Sequence, residues 1–142
     1  VFRGLFVMRC SYCGKCCEKT EMELSSRDIE RLEETGYRRE DFTVTGDNGL
    51  TRLRNSGEWC YFYDPAEKKC QVYQDRPLGC FIYPVAYSND EGVITDELCP
   101  MRRTVSKKEL KMKGKILAKH LKRITVEATP SSIIRIASSS AR

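Results

Sequence analysis

The sequence predicts an α+β fold, a small cysteine-rich domain of short antiparallel hairpins with a C-terminal helix. Three observations predict it. Eight cysteines are spread through 142 residues, the stretch from Leu50 to Leu98 alternates with a period near two between turn residues, and Val105 to Ile124 changes to a helical period. The length suits one compact unit with a tail. Apolar residues make up 40% and charged residues 32%, at a mean hydropathy of −0.52. That is enough for a modest core and argues against wholesale disorder and against a membrane-embedded chain. No apolar run approaches the roughly 20 residues that a bilayer crossing needs. Val1 to Met8 is broken by Arg3 and Gly4, ends at Arg9 and is too short for a signal peptide.

Along the chain, Thr20 to Leu24 alternates like a short strand. Ser25 then reads as an N-cap with Asp28 three residues on, which predicts a helix to about Thr35. Ile29 and Leu32 share one face of that helix, and Gly36 stands where a C′ residue is expected. Leu50 to Arg54, an Asn55-Ser56-Gly57 turn and the aromatic run Trp59 to Tyr63 predict a hairpin. Asp64-Pro65 opens the next turn, Cys70 to Tyr73 is its partner strand, and Arg76-Pro77 begins a helical turn with proline at the first helical position. Tyr83 to Tyr87 and Val93 to Asp96, joined through Asn89 to Gly92, predict a last hairpin.

The charge divides near the last cysteine. Residues 1–100 carry 13 Lys and Arg against 18 Asp and Glu, whereas residues 101–142 carry 12 against 2. Leu110, Leu117, Leu121 and Ile124 recur at helical spacing in this second segment, a basic amphipathic helix weakened by Gly114. Its apolar side either docks on the domain or faces a partner, and its charge suits nucleic acid or an acidic protein. Beyond Pro130, Ile133, Ile134 and Ile136 make a late strand or a frayed tail. The expected organisation is a cysteine domain over 5–103, a basic helix over 104–126 and a tail over 127–142.

The cysteines carry the chemistry. Cys10, Cys13 and Cys16 follow at two-residue gaps, with Cys17 adjacent. Neighbours this close are awkward disulfide partners but can wrap one ion or cluster. With no secretory signal the expected location is cytoplasmic, a reducing compartment where thiols stay free unless a metal takes them. The reading is therefore a small cysteine-rich metal-binding domain. Gly14 after the second cysteine of the pair permits a positive φ, as tetrathiolate knuckles need. A third thiolate at Cys16, completed by a distant Cys99-Pro100, is the pattern of cluster-binding runs. Adjacent cysteines project differently, so Cys16 and Cys17 serve different sites. Cys10, Cys13, Cys16 and Cys99 form one set, and Cys17, Cys60, Cys70 and Cys80 the other. The cofactor is an iron–sulfur cluster, 4Fe-4S foremost, zinc, or both. Two zinc ions, or one cluster with one zinc, leave the same total charge, so charge does not choose between them.

The run from Cys10 to Cys17, then Cys60, Cys70-Gln71-Val72-Tyr73, Arg76-Pro77-Leu78-Gly79-Cys80, Tyr83-Pro84 and Cys99, resembles the YkgJ-type cysteine-cluster family, a zinc- or iron-chelating domain, over about Met8 to Met101. The resemblance implies a metal or iron–sulfur centre. Related cysteine clusters accompany flagellin lysine methylases, for which cluster-dependent methyl transfer has been proposed. No large domain of that kind is attached here.

The other residues of the pattern have functional and structural readings. Arg76 either hydrogen-bonds a ligand sulfur or a carbonyl, or forms a salt bridge with Asp75 or Glu67. Tyr61, Tyr63, Tyr73 and Tyr83 line a substrate pocket or, as aromatic residues around a small metal core commonly do, exclude water. His120, alone in the lysine-rich helix, is a surface or docked histidine rather than a ligand. Neither a Ser/His/Asp set, a phosphate loop nor a dinucleotide fingerprint is present. Three function classes follow. One is electron transfer or cluster-dependent group transfer on an unidentified protein partner or substrate. Another is a zinc-stapled interaction module that binds nucleic acid or an acidic protein through the basic helix. The third is metal carriage or sensing, which requires exchangeable metal.

Overall fold

A computed structural model describes residues 14–128, so Cys10, Cys13 and the segment beyond Ala128 lie outside the described residues. A tight 3-10 turn, Lys15–Cys17, follows Gly14, whose φ of 79° lies in the left-handed region. The helix predicted from Ser25 forms as α1, Ser26–Glu34, and its capping box is complete: the Ser25 hydroxyl accepts from Asp28 N–H and the Asp28 carboxylate accepts from Ser25 N–H. Ile29 and Leu32 are buried on its inner face, and Gly36 has φ 105° just past its end. A short α2, Arg39–Phe42, leads into β1, Thr43–Thr45, which pairs antiparallel with β2, Thr51–Leu53.

Two small hairpins follow, β3 (Asn55–Ser56) with β4 (Trp59–Cys60) and β5 (Tyr63–Asp64) with β6 (Lys69–Cys70). A 3-10 turn at Tyr73–Asp75 precedes α3, Leu78–Ile82. After a cis Tyr83–Pro84 peptide come β7, Val85–Ser88, and β8, Gly92–Thr95, paired as the last hairpin. A further turn at Arg102–Thr104 leads to α4, Lys107–Ala128. The described strands make four separate two-stranded sheets, consistent with the α+β class.

Four expectations change in detail. The partner strand expected over Cys70 to Tyr73 is strand only at Cys70, because the chain turns at once into the 3-10 turn Tyr73–Asp75. Thr20 to Leu24 is not a strand: it forms isolated bridges, Glu18 with Trp59 just before it and Glu23 with Arg52 within it, because its backbone touches β2 only through Leu24 N–H to Thr51 O and Leu53 N–H to Met22 O. The hairpin expected between Leu50 to Arg54 and Trp59 to Tyr63 is narrower, since Thr51–Leu53 is drawn onto β1 and only Asn55–Ser56 face Trp59–Cys60. Pro77 is the N-cap of α3, not its first helical residue, with an extended ψ of 149°.

The apolar interior has two parts. One gathers Leu24, Leu32, Phe42, Leu53, Phe62 and Val72, and Cys17, Cys60, Cys70 and Cys80 all belong to it or pack on it. The other, around Ile82, Val85 and Leu117, docks α4 on α3 and β7. Gly114 explains itself here. Its position lies so close to Val93 that an added Cβ would stand 3.1 Å from a methyl carbon, so glycine lets the last hairpin approach the helix. Both acidic residues of the basic segment are used structurally. Glu109 pairs with Lys113 at 2.9 Å in a buried site, and Glu127 accepts from the N–H and hydroxyl of Ser26 at the start of α1. No described helix is long and apolar enough to cross a membrane.

Candidate metal centre

The knuckle turn is laid across the first small hairpin. Lys19 N–H donates to Glu58 O at 2.7 Å, Glu18 bridges to Trp59, and the Asn55 side-chain amide binds both the N–H and the carbonyl of Thr20. Gly14 packs directly on the Tyr63 ring, whose hydroxyl would collide with any Cβ there. These contacts place Cys16 and Cys17 over the cysteine-bearing strand ends, with their sulfurs 4.0 Å apart.

Cys60 and Cys70 occupy equivalent positions, each the last residue of the second strand of its hairpin. That repeats the ten-residue step between them. The N–H groups of Phe62 and Tyr63 donate to the Cys60 sulfur, and that of Val72 to the Cys70 sulfur. Backbone donors aimed at sulfur favour the thiolate and suit a metal ligand. Cys80 enters from α3. Burial, and after it the charges of Cys60, Cys16 and Cys70, holds its thiol well above the ordinary range. Burial pushes Cys60 up to about 11 and also raises Cys70. Cys16 is pushed down to about 7 by its hydrogen bond with the neighbouring Cys17 sulfur, helped by its own N–H and the Arg76 charge, and Cys17 is raised in turn.

Cys99 is buried, and the phenol of Tyr83 feels both Cys16 and Cys99. Tyr83 donates to Asp96 at 2.7 Å, and burial followed by this bond raises its phenol. Of the eight expected ligands, the structure thus brings Cys16, Cys17, Cys60, Cys70 and Cys80 into one neighbourhood and Cys99 to its edge, while Cys10 and Cys13 lie outside the described residues. Among the described residues, no group of three or more His, Cys, Asp or Glu side chains already stands at ligating distances. The chemistry nonetheless fits a thiophilic metal. Cys16, Cys17, Cys60, Cys70 and Cys80 are free thiols, three of these sulfurs accept backbone N–H bonds, and one buried cationic nitrogen, Arg76 Nε, has no hydrogen-bond partner.

A groove of about 400 Å³ opens beside Cys16, with Met22, Leu117, Leu121 and Ile124 on its apolar side and Tyr83 and His120 on its polar side. No sequence pattern marks it, because its walls come from the knuckle turn and from α4 about a hundred residues later. His120 is 5% exposed and docked, as its structural reading expected, and stands 3.9 Å from Asp28. Burial lowers its imidazole below the usual 6.5. Tyr63 is buried in the first core, Tyr61 packs on it and Tyr73 carries the Arg76 guanidinium, so these three form the shell of the cysteine region.

A family model named CxxCxxCC and described as "Putative zinc- or iron-chelating domain" matches residues 9–100. An uncharacterised protein of Methanocaldococcus jannaschii is 30% identical over 102 residues, a match that takes in 67% of this chain and 54% of the relative. The chain therefore spans about half the length of that curated relative. No solved structure matches.

Proposed function

The chain belongs to the CxxCxxCC family of zinc- or iron-chelating domains, and from that premise we propose that it holds metal in two adjoining four-cysteine sets. Cys17, Cys60, Cys70 and Cys80 hold zinc as a closed structural site. Cys10, Cys13, Cys16 and Cys99 hold a 4Fe-4S cluster whose accessible side serves electron transfer or group transfer on a protein partner or substrate. The observation that carries this reading is the gathering of a knuckle turn, two hairpin ends and α3 around sulfur. In the first set Cys60 is buried and Cys17, Cys70 and Cys80 pack half-buried on the same core, which suits a structural tetrathiolate. In the second, Cys16 is exposed and opens on the groove, as a centre that must meet a partner requires. When bound, the cluster supplies a one-electron couple. The chain's own residues supply the sulfur ligands, the N–H bonds that favour thiolate, and the aromatic wall of Trp59 and Tyr63, stacked at 4.7 Å, that keeps water from the hairpin ends.

The test is to replace one member of each set and count metal. Cys70→Ser should lose zinc and keep iron with its sulfide, and Cys99→Ser should do the reverse. Equal loss of everything from both variants would contradict two separable sets.

A second reading has one observation in its favour. Lys108, Lys111, Lys115, Lys119 and Lys122 are all exposed on α4, leaving a basic face outward after the helix has docked. A zinc-only protein that binds nucleic acid through this face would be colourless, and its binding would weaken steeply with salt.

A further inference from the structure

We propose that Arg76 is a positioning residue for the metal centre, a fixed cation clamped between aromatic rings that offsets the negative charge of the thiolate sets. The inference rests on the metal-binding reading above. Its guanidinium carbon lies 3.8 Å from the Tyr73 ring centroid and 5.1 Å from that of Phe81, a cation held over two π faces. The expected alternative, a salt bridge to Asp75 or Glu67, does not form. This matters because an arginine paired with a carboxylate is nearly neutral when viewed from a neighbouring sulfur. One paired with rings keeps its full charge.

The backbone beneath the clamp is fixed as well. Arg31 donates to Arg76 O at 2.7 Å and to Asp75 O at 3.4 Å. Asp28, 1% exposed, accepts both from Arg31 and from Leu78 N–H. The buried carboxylate that caps α1 therefore anchors the loop that presents the guanidinium. Arg76 Nε is buried without a hydrogen-bond partner, a costly arrangement for a charged group unless something anionic lies near. The two rings belong to the cysteine-bearing segments: Tyr73 lies three residues after Cys70 and Phe81 directly follows Cys80, so the guanidinium is seated where the Cys70 hairpin end meets α3. Four thiolates around a divalent ion, or around a 4Fe-4S cluster in its 2+ state, retain a charge of about −2. In a medium of low dielectric constant a fixed cation beside them favours the loaded state and the reduced form of a redox couple.

The test uses the full chain purified without oxygen, with Arg76→Gln and Arg76→Lys. Zinc and iron per chain are counted first, then the rate of metal loss to a chelator and, for iron, the reduction potential. Arg76→Gln should lose metal about tenfold faster or more and show a more negative potential. Arg76→Lys keeps the charge without the planar stack and should stay within about threefold of the wild type. Loss from the lysine variant as fast as from the glutamine variant, or a glutamine variant that matches the wild type in both readouts, would overturn the proposal. If Arg76→Gln does not fold, the lysine variant decides alone: metal loss more than about tenfold faster than wild type overturns it. A wild-type chain with no zinc or iron would overturn the metal reading itself, and this proposal with it.

Discussion

Gly14 and His120 show how single positions join sequence to stability in this chain. Gly14 combines a φ of 79° with direct contact on Tyr63, so a side chain there meets both backbone strain and a ring. Placing an L-residue in the left-handed region costs roughly 1–2 kcal/mol before any clash. Gly14→Ala should therefore lower stability by at least about that much in a denaturant titration and reduce the metal held by the knuckle. A variant with unchanged midpoint and metal content would show that the knuckle tolerates another conformation. His120 makes a prediction about pH. Burial lowers its pKa below 6.5, while Asp28, Glu127 and Glu23 pull it up and Arg123 pushes it down. As pH falls through 6.5 the unfolded chain takes the proton first, so the stability that the neutral imidazole permits is complete above 6.5 and declines until the folded value is passed. The chain has one histidine, so comparison with His120→Gln isolates the effect. Wild type should lose more stability than the variant between about pH 7.5 and 5.5, and parallel pH curves would contradict it.

At the level of elements, local signals were legible and long-range ones were not. The Ser25 and Asp28 capping box, the turn around Gly57, the last hairpin and the basic helix all form near where their residues predict, because each depends on neighbours within a few positions. The ten-residue step that puts Cys60 and Cys70 at equivalent hairpin ends was legible for the same reason. β1 was not, since three residues, Thr43–Thr45, have no pattern of their own and owe their pairing to β2. The docked face of α4 was read from its leucines. The structure buries Glu109, Lys113, Gly114 and His120 on it alongside Leu117 and Ile124, polar groups that only tertiary partners make tolerable. Asp28 is the hub that no local rule reveals beyond its cap, since it reaches Arg31, Leu78 and the region of His120. Asp28→Ala should cost about 2 kcal/mol or more, above a cap alone, by urea denaturation of the metal-loaded chain. Leu117→Ala should cost about 2–5 kcal/mol, whereas Lys111→Glu with Lys115→Glu should change stability by less than about 0.5 kcal/mol per site. Equal effects from the core and surface changes would contradict the docking of α4.

For the whole molecule, the central feature is that the four two-stranded sheets and three short helices of the described residues have little regular structure to hold them. Two-stranded hairpins are marginal alone in water. Cys17, Cys60, Cys70 and Cys80 stand where these pieces meet, so metal would supply the cross-links that a small core does not. Chelation should then expose apolar surface and loosen the hairpins, while α4, held by its own packing on α3 and β7, should retain more of its helicity. The most direct measurement is the content of zinc, iron and acid-labile sulfide per full chain, purified without oxygen. Metal binding in two cysteine sets predicts about one zinc with about four irons and four sulfides per chain, and a brown colour. Protein that is folded, stable and free of both metals would contradict it.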